Sequence, residues 1–120
     1  MANLPYKGRA LVWLGDSKES LSAFPAEAKR IIGFGLRLVQ NGETPGFAKP
    51  LKGLGAGVYE LKADAGGNTY RTVYLVKLRS AVYVIDAFQK KSRRRSKTPR
   101  EVRERLEMRI KWAREMDDGR

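Results

Sequence analysis

The sequence predicts an α+β domain, and three observations carry that prediction. Apolar residues recur at helical spacing in two separate stretches, from Ala28 to Val39 and from Val102 to Ala113. Three strand-like runs lie between them. The links between those runs are too short for crossover helices, so the strands are expected to form an antiparallel meander. A chain of 120 residues has the common size of one domain, and residues 1–120 are read as a single one.

The elements follow in order. Arg9 to Leu14 is rich in strand formers and stops at Gly15-Asp16-Ser17, a turn that can also cap a helix. Ser17 to Ala23 reads as a short helix, and Pro25 suits the first turn of a second one because its missing N–H is not needed there. In that second helix Ala28, Ile31, Ile32, Gly35, Leu38 and Val39 form one face. Gly33 and Gly35 each cost about 1 kcal/mol relative to alanine, which for Gly35 is best explained by close approach to a sheet. Asn41-Gly42 ends the helix.

Glu43 to Gly57 reads as a loop, in which Lys49 to Lys52 can hold a short extended piece. Val58 to Ala63 and Thr69 to Leu78 are strands joined by a hairpin loop from Asp64 to Asn68; Ala81 to Phe88 follows an Arg79-Ser80 turn. Residues 89–98 are a basic loop. Thr98-Pro99-Arg100-Glu101 has the pattern of a capping box, with Thr98 as N-cap, and the last helix runs to about Met116.

Composition narrows the chemistry. The chain has no histidine and no cysteine, which excludes imidazole acid-base catalysis, thiolate nucleophiles, disulfides and the usual zinc sites. No metal or cofactor is expected. No apolar run approaches the roughly 20 residues that cross a bilayer, and no apolar signal core opens the chain, so a cytoplasmic protein without a membrane partner is expected.

The net charge of +12 is concentrated: residues 90–100 carry 7 basic and no acidic groups, whereas residues 101–120 carry 6 of each. A surface this basic favours a polyanion such as RNA or DNA as partner. The run from Lys90 through Lys91, Ser92, Arg93, Arg94, Arg95 and Ser96 to Lys97 is either a solvated charge run or an anchored phosphate-binding loop. Its place between a buried strand and a capped helix favours the second reading.

On the middle strand, alternation places Arg71 with Val73 and Leu75, opposite Tyr70, Thr72 and Tyr74. Arg71 therefore either pairs with Glu60 or Asp64 at the margin of its face, or is held by the sheet and aimed at a phosphate. Lys62 shares a face with Glu60 and Val58 across the hairpin, and Lys49 and Lys52 precede that strand. In the last helix, Val102, Leu106, Ile110 and Ala113 form a docking stripe, and Met108, Trp112 and Met116 a neighbouring one. The second stripe either completes the core or is a surface covered by a partner.

Taken in order, Lys49-Pro50-Leu51-Lys52-Gly53-Leu54, Gly57-Val58-Tyr59-Glu60-Leu61, Tyr70-Arg71-Thr72-Val73-Tyr74, Val82-Tyr83-Val84-Ile85-Asp86-Ala87-Phe88-Gln89-Lys90-Lys91 and Lys97-Thr98-Pro99 resemble the RelE/HigB-like toxins of bacterial and phage type II toxin–antitoxin modules. The closest likeness is to the phage-derived HigB-like branch of the RelE/ParE superfamily. The resemblance implies a curved antiparallel sheet packed against an N-terminal helical hairpin, with a C-terminal helix. It also implies a ribosome-dependent, metal-independent mRNA endoribonuclease that inhibits translation and is silenced by a cognate antitoxin, expected to be a helix-turn-helix protein.

In such toxins the arginine of the third-strand motif contacts the scissile phosphate, which corresponds here to Arg71. The lysine near the end of the preceding strand corresponds to Lys62, and the basic residues after the last strand to Lys90 and Lys91. Many members carry a histidine where this chain has Asp86, which would act as a base or position a lysine. Arg93, Arg94, Arg95 and Lys97, with Lys49 and Lys52, would hold RNA, and Met108, Trp112 and Met116 would meet a partner. Two other outcomes share the fold: a ParE-like toxin acting on DNA gyrase, and a phage-derived RNA-binding accessory protein without catalysis.

Overall fold

Side chains of the strands alternate between two apolar clusters, and these lie on opposite faces of one sheet. The computed structural model describes residues 8–76, 81–90 and 99–119. Its elements are β1 (Ala10–Trp13), α1 (Ser17–Ser22), α2 (Ala26–Gln40), β2 (Ala48–Pro50), β3 (Val58–Ala65), β4 (Asn68–Val76), β5 (Ala81–Lys90) and α3 (Arg100–Asp118). The strand order is β1-β5-β4-β3-β2.

The sheet is mixed, which corrects the expectation of a wholly antiparallel one. From β2 to β5 each neighbour is antiparallel, as the short links require, but β1 joins the far edge parallel to β5, with Ala10 opposite Ala81 and Trp13 opposite Val84. The two strands are remote in sequence, so no hairpin link dictates their relative direction. The predicted helical hairpin is also unequal. α1 has 6 residues and leads into the 15 residues of α2, so α2 supplies most of that layer.

α2 lays Ala28, Ile32, Leu36 and Val39 on Leu61, Ala63, Tyr70, Tyr74, Val82 and Val84. A Cβ on Gly35 would come within 2.8 Å of the Phe47 ring and 3.1 Å of the Leu61 methyls, so glycine is what lets α2 approach the sheet. Phe24 closes this core by a tilted contact with Tyr70, at 4.9 Å between centroids. The other face carries Val58, Val73, Leu75, Tyr83 and Ile85, covered by Leu106, Ile110 and Ala113 of α3. Truncating Leu106 to alanine would cost about 2–5 kcal/mol by opening a cavity there.

Several boundaries differ from the sequence reading. The β3–β4 connection is a two-residue turn, because Gly66 and Gly67 both adopt positive φ (59° and 81°) and allow Ala65 to pair with Asn68. β5 continues to Lys90, so Gln89 and Lys90 are strand residues and not part of the basic loop. Pro25 and Pro99 precede α2 and α3 with extended ψ values of 153° and 150°, one position earlier than predicted. The Arg79-Ser80 turn and the Thr98 cap lie outside the described residues.

A bulge interrupts the β4–β5 ladder. Val73 pairs with Asp86 but the next residue, Tyr74, pairs with Val84, leaving Ile85 as the extra residue. Strict alternation would send Asp86 to the α2 side. The bulge turns it to the α3 side with Ile85, where it meets two arginines of α3.

Candidate nucleic-acid interface and active site

The α3 side of the sheet carries a set of charged rows at one end. Strand register places Lys62 opposite Arg71, and Arg71 opposite Phe88. The adjoining rows run Lys49, Glu60, Val73, Asp86 on one side and Asp64, Thr69, Lys90 on the other. Residues opposite one another project to the same face. Lys49, Lys62, Arg71 and Lys90 are thus brought onto one face by four different strands. Lys52 is exposed in the loop after β2. Lys91, Arg93, Arg94, Arg95 and Lys97 lie outside the described residues.

Arg71 is the most constrained of the cations. Its Nη1 donates to both carboxylate oxygens of Glu60, at 2.7 and 2.8 Å, with 18% of the Arg71 side chain and 9% of the Glu60 side chain exposed. Its Nε is buried without a hydrogen-bond acceptor among the described residues. The guanidinium is therefore held in place by β3 but not saturated. Lys49, Lys62 and Lys90 form no ion pair among the described residues, which leaves their charge available to an anion. Tyr70 and Tyr74 face α2; burial pushes the Tyr74 phenol well above its ordinary value.

Asp86 stands at the border between this cationic end and α3. Its Oδ1 accepts from the Ala87 amide at 2.9 Å and from Arg109 Nη1 at 3.2 Å, and its Oδ2 accepts from Arg105 Nε at 2.8 Å. Arg109 Nη1 also donates to the Ile85 carbonyl, and its Nη2 to Asp16 Oδ1 at 2.7 Å. That guanidinium holds the Asp16 carboxyl below its ordinary range. Both oxygens of Asp86 are occupied by the guanidiniums of α3 and a backbone amide, so the geometry gives Asp86 the work of tying α3 to the sheet.

Sequence reasoning passed over Arg105 and Arg109. A signal was present: at about 100° per residue Arg109 falls within the stripe of Val102, Leu106, Ile110 and Ala113. A charged residue in a core stripe requires a buried partner, here Asp86. Asp117 is a second such residue, buried and accepting from the Tyr83 hydroxyl at 3.0 Å. The adjacent stripe is not core: Met108, Trp112 and Met116 are 45%, 42% and 45% exposed.

The described residues contain no cluster of three acidic side chains suited to a metal ion, and no helix among them is long and apolar enough to cross a membrane. What the fold presents is an α+β scaffold with a cationic sheet end. The family model described as Phage derived protein Gp49-like (DUF891) matches residues 19–111. The chain belongs to that family.

No curated protein matches the sequence. Among solved structures, it is similar to a chain of the toxin–antitoxin complex RelBE2 from Mycobacterium tuberculosis, with 19% identity and a TM-score of 0.46 over 69% of this chain and 99% of that one.

Proposed function

We propose that this protein is the toxin of a toxin–antitoxin module, of the RelE/HigB-like type, and that it cleaves messenger RNA on the ribosome. The observation that carries the reading is the register of Lys62 with Arg71, flanked on the same face by Lys49 and Lys90. In this reading Arg71 contacts the scissile phosphate and stabilises the negative charge that grows on it. The 2′-oxygen bonds to phosphorus as the bond to the 5′-oxygen breaks. One proton leaves the 2′-hydroxyl and another reaches the departing 5′-oxygen. Lysines among Lys62, Lys90 and Lys91 carry out these transfers, with no metal in the step. Asp86 contributes indirectly, by fixing α3 through Arg105 and Arg109.

Arg93, Arg94, Arg95 and Lys97 would hold ribosomal or messenger RNA, as would Lys49 and Lys52. The exposed Met108, Trp112 and Met116 are the proposed contact for an antitoxin of the helix-turn-helix kind. A cytoplasmic site of action follows from a ribosomal target.

The experiment is regulated expression in a bacterial host, with growth followed alongside primer extension on cellular mRNA. Growth arrest with discrete cuts, both lost in Arg71→Ala, is the expected result. Arrest with intact mRNA and altered plasmid supercoiling would replace this reading with a gyrase-directed toxin. The occupation of Asp86 by two arginines and of Arg71 by Glu60 favours one other reading, a phage-derived RNA-binding protein without catalysis, for which RNA would be bound but never cut.

A further inference from the structure

The face of α2 turned away from the sheet carries a feature that neither the fold nor the proposed active site uses. Phe34 is 59% exposed, more than any other large apolar residue among those described. Its neighbour Gly33 is exposed too, and a Cβ built there would meet nothing within 4 Å. Gly35, two residues on, is glycine for a visible packing reason; Gly33 has none. Glycine is the poorest helix residue after proline, so its presence in the middle of α2 without a packing role calls for another explanation.

The surroundings supply one. On a helix, positions three and four residues away are neighbours. Around the Gly33–Phe34 pair these are Lys29, Arg30 and Arg37 on the solvent side, all exposed. Glu27 is the one acidic residue of α2 and lies in its first turn. The surface is thus a bare patch of helix backbone beside an exposed aromatic ring, bracketed by cations a turn to either side. A flat ring can lie over Gly33 against Phe34, and the cations then sit where the phosphates flanking that ring would fall. This combination of an aromatic platform with flanking positive charge suits single strands of nucleic acid, whose bases stack without sequence preference.

We infer that the outer face of α2 is a second binding surface for single-stranded RNA, in which a base stacks on Phe34 over Gly33 and Lys29, Arg30 and Arg37 take the adjoining phosphates. It lies on the opposite side of the sheet from Arg71, and it stands whether or not the protein cleaves RNA.

The test is fluorescence anisotropy of the full-length chain with a labelled, mixed-sequence single-stranded RNA of about 12 nucleotides, within the range such surfaces occupy. Phe34→Ala and Gly33→Leu should each weaken binding by about fivefold or more, the loss expected for one base stack. The slope of affinity against salt should not change, since neither residue is charged. Gly33→Leu should melt at or above the wild-type temperature, because the site is open and leucine favours helix, so its loss of affinity cannot be laid to unfolding. The same factor should persist in an Arg71→Ala background, which separates this surface from the proposed active site. Binding within about twofold of wild type in either variant overturns the proposal. So does a glutamate-rich peptide that binds as tightly as the RNA and loses as much on Phe34→Ala, which would make the patch a docking site for acidic protein.

Discussion

The Nη1 atom of Arg71 lies 2.7 and 2.8 Å from the two carboxylate oxygens of Glu60, so the arginine proposed to meet a phosphate is already held by an anion on the adjacent strand. The pair sits two residues off the direct register: Arg71 is opposite Lys62, and Glu60 opposite Val73. Glu60 thus steers the guanidinium along the sheet, away from Lys62. Both side chains are largely buried, so removing either leaves a partly desolvated charge.

Glu60→Ala should therefore destabilise the fold by about 2–3 kcal/mol in urea titrations, from the uncompensated arginine, whereas Glu60→Gln, which keeps an acceptor, should cost less. Arg71→Ala should reduce mRNA cutting on programmed ribosomes by about 10²–10³-fold, the scale of one missing charge-stabilising donor. Unchanged cutting would remove Arg71 from the mechanism.

Gly15 predicts a backbone effect far from the proposed chemistry. Its φ is +54°, and a Cβ there would lie 2.6 Å from Arg109 Nη2. Gly15→Ala should cost about 2 kcal/mol or more by chemical denaturation, through left-handed strain and displacement of Arg109 from Asp16. A cost below about 0.5 kcal/mol would mean that the arginine moves aside without loss.

The ion pair of Arg109 with Asp16 makes part of the stability depend on pH. Because Arg109 lowers the carboxyl of Asp16 in the folded chain, its contribution is complete above the ordinary aspartate range and disappears as pH falls through the lower folded value. Wild type should exceed Asp16→Asn in stability at neutral pH, and the two should converge in acid below about pH 4. A difference that stays constant from pH 7 to acid would show that the charge of Asp16 contributes nothing.

Trp112→Ala should leave thermal stability nearly unchanged, since the residue is 42% exposed, yet weaken association with the proposed cognate antitoxin by tenfold or more, as expected of a central aromatic anchor (about 2 kcal/mol). Calorimetric titration of the purified pair measures this. Equal affinity would place the antitoxin elsewhere.

Replacing Arg93, Arg94 and Arg95 with glutamine should weaken RNA binding while leaving the fold intact, and should flatten the slope of log K against log salt by roughly 0.7 for each single-strand phosphate that is no longer neutralised. An unchanged slope would make the run a solvated one.

Much of the architecture was legible from local pattern. The apolar spacing of Ala28 to Val39 and of Leu106 to Ala113 marked the two large helices, and the link lengths marked the meander. Alternation placed Arg71 and Lys62 on the face of Glu60, because a strand has period two whatever packs against it. The close approach at Gly35 was visible as a glycine within an apolar helical face. The two-glycine turn is shorter than its composition suggests, because pairing of Ala65 with Asn68 depends on φ values that a glycine permits but does not require.

What the sequence determined by itself, then, is the inventory of elements, the basic character of the chain and the strand faces that collect Lys62 and Arg71, since each follows from short-range periodicity and composition. Only the tertiary structure decided that β1 lies parallel to β5, that the Ile85 bulge turns Asp86 toward Arg105 and Arg109, and that Met108, Trp112 and Met116 remain exposed beside a filled core. The physical reason is common to all three. Edge choice, ladder register and the coverage of a second helical stripe are settled by packing between segments remote in the chain, whose competing arrangements satisfy the same local pattern equally well.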